Sequence, residues 1–405
     1  MILYRTTIIN PISASKCQFF QDGAILIKNK KIVYCGNYKK FPNTKIFDYR
    51  EKVIIPGFCD THIHLPQFEV RGTFSGTKLL PWLKKYIWPE EAKFLNTNHA
   101  KKVSQKFYKD LIKNGTLNTL IWGTIHEKAV EIVFNTCPIR AIIGKVMMDQ
   151  NSSKELLETT KKTIKITENL AKKYKQNFAV TPRFAPTCSF ESMKQAAKIA
   201  KKYKTYIQTH INENKDEIKW VKKLFPKFKS YTEVYQKAAL LTEKTILAHM
   251  IHFTQEELKI IKKTKTKITH CPTSNIALKS GRMPIEKLLQ EKIPFAISTD
   301  VGAGPDTSMF DVMKAFIKIH KKHKKITPTE SLYYATLAGA QILGWQKQTG
   351  NLIKGKSADL LILDTKAQKN DTANTILQKI MQKGKNYYDN IIYKTIFQGK
   401  EIYKK

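Results

Sequence analysis

Apolar residues follow two patterns along this chain. Near the start, "GAILIKN" (Gly23 to Asn29) and "KKIVYCG" (Lys30 to Gly36) are short runs joined by polar turns, which predicts a small antiparallel sheet. The same texture returns near the end in "ADLLILD" (Ala358 to Asp364) and "YKTIFQGKEIYK" (Tyr393 to Lys404), so both chain ends are expected to build one β domain. Between about residues 53 and 345, short β-type runs alternate instead with longer, lysine-rich stretches of helical period. The runs are "VIIPGFCDTHIH", "TLNTLIWG", "RAIIGKVMMD", "FAVTPRF", "YIQTHI", "TILAHM", "KITHCP" and "PFAISTD". Eight strand-like segments separated by helices predict an α/β fold, a (β/α)8 TIM-type barrel. The expected division is 56–349 for the barrel, with 1–55 and 350–405 together forming a small β-sandwich domain.

Composition narrows the class. At 405 residues and 42% hydrophobic content, the chain can bury a large core. No run approaches the roughly 18 apolar residues of a membrane span. The opening "MILYRTTIINPISASKC" puts a charge and a proline where a signal peptide needs an apolar segment. The six cysteines (Cys17, Cys35, Cys59, Cys137, Cys188 and Cys271) are scattered, with no C-x-x-C pair. A cytoplasmic protein without disulfides and without a membrane partner is the expectation.

The net charge of +38 invites a nucleic-acid reading. Nearly all of it is lysine, however, with arginine only at Arg5, Arg50, Arg71, Arg140, Arg183 and Arg282. Arginine is the residue that reads bases and phosphates bidentately. The lysines recur in doublets such as Lys161-Lys162, Lys201-Lys202 and Lys262-Lys263 on amphipathic stretches, which is how solvated helix faces look. No nucleic-acid partner is expected, and a basic nucleic-acid-binding protein stands as the non-enzyme alternative.

Chemistry enters with "FCDTHIHLPQ" (Phe58 to Gln67). In a strand, residues i and i+2 share a face, whereas in a helix they point about 200° apart, so His62 and His64 converge only if the segment is extended. Other predicted strand ends carry His210, His249, His270 and Asp300, and in barrels of this kind active sites form at those ends. Several imidazoles and a carboxylate at one barrel mouth make a metal-site composition. The favoured ligands are His62, His64, His210 and Asp300, a set that suits Zn²⁺ with Fe²⁺ as the close alternative, the cation acidifying a water. Glu213, three residues after His210, is placed to carry protons, and His249 to orient the water or stabilise charge on it. His270 is expected to support the site without ligating, and His99, His126, His252, His320 and His323 to be structural. A second metal would need a bridging carboxylate, usually a carboxylated lysine, at the end of the fourth strand, where "TPRFAP" has Arg183 and no lysine, so one metal is expected.

These motifs, "PGFCDTHIH", "HINEN", Ala248-His249, "HCPTSN" and "STDVGAG", resemble the amidohydrolase superfamily and, within it, the guanine deaminases. The stretches "LLPWLKKYIWPEE", "KNGTLNT", "GKVMMD" and "TPRFAPTCS" tighten the likeness, which runs through "GNLIKGKSADLLILD". It implies hydrolytic deamination of guanine to xanthine and ammonia, with zinc on His62, His64, His210 and Asp300 and proton transfer by Glu213. It also implies that Gln67, Arg183 and Phe184 contact the purine, Arg183 donating to the carbonyl oxygen that guanine has and adenine lacks. By the same resemblance a homodimer is expected. Met250 and Trp88 depart from the family pattern. A related amidohydrolase acting on another purine, a pterin or an aminotriazine is the enzyme alternative. The H-x-E with P-C-x-x-C signature of the cytidine-deaminase fold is absent.

Overall fold

The computed structural model describes residues 1–73 and 78–405. Strands Ile2–Pro11 (β1), Cys17–Lys28 (β2), Lys31–Asn37 (β3) and Lys45–Pro56 (β4) lie near the start of the chain. Eight strands follow: Phe58–His64 (β5), Thr116–Trp122 (β6), Arg140–Met147 (β7), Phe178–Pro182 (β8), Tyr206–Ile211 (β9), Thr245–His249 (β10), Lys267–His270 (β11) and Phe295–Ile297 (β12). Leu360–Leu363 (β13), Ile392–Phe397 (β14) and Lys400–Lys404 (β15) complete the set. Two compact units result, one of Met1–Asp60, Lys109–Asn118 and Thr307–Lys405, the other of Thr61–Tyr108 and Thr119–Asp306.

The β domain expected from both chain ends is a seven-stranded hydrogen-bonded sheet in the order β15-β14-β13-β4-β1-β2-β3. Its registers set Ile8 opposite Ile54, Ile54 opposite Ile362 and Leu360 opposite Ile396. These residues share one buried cluster with Ile25 and Ile32. Strand β1 breaks the apolar alternation with Thr6, Thr7 and Asn10, all buried. They are tolerated because Thr6 Oγ1 donates to the Lys52 carbonyl (2.8 Å), Thr7 Oγ1 to the Gln21 carbonyl (2.8 Å) and Asn10 Nδ2 to Gln18 Oε1 (2.9 Å).

The eight predicted barrel runs all form strands, in the sheet order β12 to β5. One run is divided: Val53–Pro56 finishes β4, and only the part from Phe58 enters the barrel as β5. At the mouth, the chain beyond β12 bonds to β5, with Asp300 N donating to the His62 carbonyl (2.9 Å) and His64 N to the Val301 carbonyl (2.7 Å). Beneath the mouth the interior is polar and largely hydrogen-bonded, although Gln208 Oε1 and Thr119 Oγ1 are buried without a hydrogen-bond partner among the described residues. Thr61, Thr269 and Ser298 hydroxyls lie 2.5–2.7 Å apart, and Gln208 Nε2 donates to Thr181 Oγ1 (3.0 Å) and the Ile121 carbonyl (3.2 Å). Gly144 leaves room for them, since a Cβ there would fall 2.0 Å from Thr181 Oγ1 and 2.3 Å from Gln208 Nε2.

The lysine doublets have a local logic. Lys172-Lys173, Lys201-Lys202, Lys222-Lys223 and Lys262-Lys263 sit in the last turns of the helices Thr160–Tyr174, Phe190–Tyr203, Lys215–Leu224 and Gln255–Thr264. Cations there complement the negative end of the helix dipole. In Phe190–Tyr203 the buried face is mostly apolar, with Met193, Ala196, Ala197 and Ala200. Among the described residues, no helix is long and apolar enough to cross a membrane.

One lysine is different. Strand alternation turns Lys145 of β7 away from the interior, and it is fully buried. Its ammonium pairs with buried Glu158 and donates to Thr163 Oγ1 at 2.7 Å. Burial lowers its pKa and the Glu158 charge opposes that shift. Lys145→Met strands the Glu158 carboxylate in the interior, partly screened by Lys162 at 3.7 Å. The expected loss is about 3–5 kcal/mol in chemical denaturation, with Lys145→Met/Glu158→Gln recovering most of it. A single variant within about 1 kcal/mol of wild type contradicts a buried ion pair.

Candidate active site

Strand β5 presents His62 and His64 on one face, as i and i+2 must be. The end of β9 adds His210, and the residue three beyond β12 adds Asp300. Four atoms meet here: His62 Nε2 to Asp300 Oδ1 is 3.1 Å, His64 Nε2 to Asp300 Oδ1 is 3.3 Å, His64 Nε2 to His62 Nε2 is 3.2 Å and His210 Nε2 to His64 Nε2 is 3.3 Å. His210 Nδ1 lies 2.8 Å from the Arg183 carbonyl oxygen, which can only accept, so Nδ1 carries the hydrogen and Nε2 offers a lone pair. Burial first, and the neighbouring rings after it, push His210 well below its ordinary pKa. Burial also takes His64 down to about 3, against the opposing hydrogen bond with Asp300. Burial alone would raise Asp300, but the His62 and His64 imidazoles outweigh it and hold the carboxyl well below its usual range. Neutral His64 and His210 rings, the His62 ring and an ionised carboxylate, all aimed at one point, are the donor set a divalent cation requires.

Asp300 (φ +52°) and His249 (φ +76°) take left-handed backbone conformations that L-residues seldom adopt. Each lies at or just beyond a strand end, where the turn swings its side chain over the mouth. His249 Nε2 faces Glu213 Oε2 at 3.5 Å and Asp300 Oδ2 at 3.8 Å, and its Nδ1 lies 3.2 Å from Asn275 Oδ1. Asn275 Nδ2 is 3.4 Å from His270 Nδ1, so His270 touches the site through Asn275.

Glu213 is fixed by the helix that follows it. "NKDE" (Asn214 to Glu217) forms a capping box at the start of Lys215–Leu224, and Glu217 Oε2 accepts from the backbone N–H of both Glu213 (2.9 Å) and Asn214 (3.1 Å). The Ser280 hydroxyl donates to Glu213 Oε1 at 3.0 Å, and His252 Nε2 holds the Ser280 carbonyl at 2.8 Å. Burial, then the charge of Asp300, raises the Glu213 carboxyl to about 8. Burial and Glu213 raise Glu217 to about 7. Tyr231 donates to Glu217 Oε1 (2.9 Å) and Tyr235 to the His210 carbonyl (2.8 Å), anchoring the end of β9 from behind.

These groups open onto a single pocket. His64, His210, Glu213, His249 and Asp300 line one part, while Gln67, Arg183 and Phe184 line another with Leu79, Trp82, Leu83 and Leu278. Phe184 is buried and packs edge-on against Trp220, with ring centres 6.0 Å apart. Met250 is absent from the described residues lining the pocket, its sulfur lying 3.9 Å from Asn212 Nδ2. Every site residue expected from the sequence therefore lies in this pocket or, for His62, against Asp300 at its edge.

Several partners were not foreseen. Glu91 binds both Gln67 and Arg183. Asn275 and Ser280 hold His249 and Glu213. Cys271, with His62, His249 and Asp300, forms a second group of donor atoms within 4.8 Å of one another, overlapping the His62, His64, His210 and Asp300 group. Only Glu217 had a readable local signal, the capping box.

The sequence profile of the amidohydrolase family matches residues 53–402. The chain is 36% identical to the guanine deaminase of Escherichia coli strain K12, over 98% of this chain and 95% of that protein. It is also 36% identical to the guanine deaminase of Dictyostelium discoideum, over 84% and 80% of the two chains. The solved structure of guanine deaminase from C. acetobutylicum, with guanine bound in its active site, superposes with a TM-score of 0.92 at 34% identity over 99% of both chains. A shared barrel alone would leave the branch open, but identity at this level over nearly the whole length does not. The chain belongs to the amidohydrolase family and, within it, to the guanine deaminases.

Proposed function

We propose that this protein deaminates guanine hydrolytically, giving xanthine and ammonia, with one divalent cation held by His62, His64, His210 and Asp300. The observation that carries this reading is the pairing, in one pocket, of that donor set and a buried carboxyl, Glu213, with the polar side chains of Gln67 and Arg183. Zn²⁺ fits three imidazole nitrogens and one carboxylate best, and Fe²⁺ is the second choice. When bound, the cation supplies Lewis acidity that makes a water nucleophilic at neutral pH.

The chain's own groups do the rest. Arg183 and Gln67 orient the purine through its carbonyl oxygen and ring nitrogens, and Phe184 offers its flat face, so that C2 with its amino group faces Glu213 and His249. Glu213 takes one proton from the water and gives it to the ring nitrogen beside C2 as the C2–O bond forms. It then carries the second proton to the amino group, which leaves as ammonia when the C2–N bond breaks. A carboxyl lifted to about 8 by burial and by Asp300 exchanges protons near neutral pH, as this shuttling needs. His249, oriented by Asn275, positions the water. Ammonia release from guanine, adenine, cytosine and pterin, compared side by side, tests the reading; guanine should lead, and inactivity on guanine would refute it.

Glu213→Gln keeps the pocket's shape but cannot accept a proton. It should retain full metal content by mass spectrometry while kcat falls about 10²- to 10⁴-fold; near wild-type turnover would remove Glu213 from the proton path. Arg183→Ala removes the guanidinium but leaves the backbone carbonyl that orients His210. Metal content should hold while kcat/KM for guanine drops at least roughly 10-fold, the worth of a charged hydrogen bond; unchanged kinetics would take Arg183 off the purine.

A further inference from the structure

Glu91 is a carboxylate only 2% exposed that none of the proton or metal chemistry uses. It lies in the short helix Trp88–Ala92, distant in sequence from both of its partners. Its Oε1 accepts from Gln67 Nε2 at 2.8 Å, and its Oε2 accepts from Arg183 Nη1. On the other side, Gln67 Oε1 accepts from Gly302 N at 3.2 Å. The close approach needs a glycine, because a Cβ on residue 302 would fall 2.9 Å from Gln67 Cβ and from the Gln67 carbonyl oxygen.

An ionised carboxylate only accepts and a backbone N–H only donates, so these two partners together permit one sense of the Gln67 amide. One N–H on Nε2 and one lone pair on Oε1 are left for a ligand. Such a group matches an acceptor ring nitrogen beside a ring N–H, the edge of a neutral purine. Glu91 also cancels the charge of Arg183, so the purine wall is polar without being cationic.

Resting on the guanine reading above, we propose that Glu91 is a specificity-determining positioning residue: it fixes the amide sense of Gln67 and the charge of the Arg183 wall, selecting a neutral oxopurine over an anionic one. An amide at position 91 can donate as well as accept, so the Gln67 amide is held in its sense by the Gly302 N–H alone, and Arg183 is left with an unmatched positive charge that attracts anions.

The test is equilibrium binding of guanine and of urate, a purine anion, to Glu213→Gln and to Glu91→Gln/Glu213→Gln, the first change stopping turnover. Glu91→Gln should weaken guanine at least about tenfold, one charged hydrogen bond's worth, while tightening urate. Guanine affinity unchanged within about twofold, or both ligands weakened by the same factor, overturns the proposal, because general damage to the fold does not invert a charge preference. If Glu91→Gln does not fold, Glu91→Asp decides. It keeps the charge beside Arg183 but draws back from Gln67, so guanine should weaken with no gain for urate, and unchanged guanine binding again overturns the proposal. Absence of guanine turnover by the wild-type protein strikes the functional reading instead, a separate result from the binding ratio.

Discussion

Three imidazole nitrogens and one carboxylate oxygen, gathered within 4.8 Å of one another in a buried corner, are the constraint on which the rest of the structure depends. Electron-rich atoms at this spacing repel one another unless something positive sits among them. Burial makes the problem sharper, because it drives the His64 and His210 rings towards neutrality and so denies the cluster protons that could have relieved it. A cation resolves both difficulties at once, and the surroundings appear as the framework that keeps the four atoms in place. The Arg183 carbonyl fixes the tautomer of His210, and backbone bonds from Asp300 and His64 tie β5 to the chain beyond β12.

The same framework explains the positions of Glu213 and His249. Glu213 follows β9 at the first loop position where the helix cap of Lys215–Leu224 can grip its backbone, and Ser280 grips its side chain. His249 reaches the mouth because its backbone takes a left-handed turn, a conformation that costs about 1 kcal/mol or more and persists only when neighbours enforce it. Across the pocket, the buried Glu91 carboxylate neutralises the Arg183 guanidinium and accepts from Gln67.

Much of this was legible in the sequence, for physical reasons. Eight strands could be counted because β-type apolar runs recur between helical stretches, and His62 with His64 could be paired because extended chain has a period of two. His210, His249 and Asp300 stood out as polar residues at the ends of apolar runs. Residues that act by meeting a distant partner could not be found this way. In "WPEE" nothing local distinguishes Glu90, which bonds Lys93, from Glu91, which turns to Gln67 and Arg183, and both are buried. Strand β1 escaped notice because its Thr and Asn side chains find backbone carbonyl or side-chain oxygen partners from elsewhere in the sheet. The lysine bias said little about function, since several of its doublets complement the C-terminal ends of helices.

The most direct test of the central claim is metal content per chain measured beside ammonia release from guanine, on wild type and on a chain with His62, His64, His210 and Asp300 all replaced by alanine. One equivalent of metal and turnover that chelation removes and zinc restores, both lost in the quadruple variant, is the predicted result. A wild-type chain that deaminates guanine without metal, or a quadruple variant that still holds one equivalent, would contradict it.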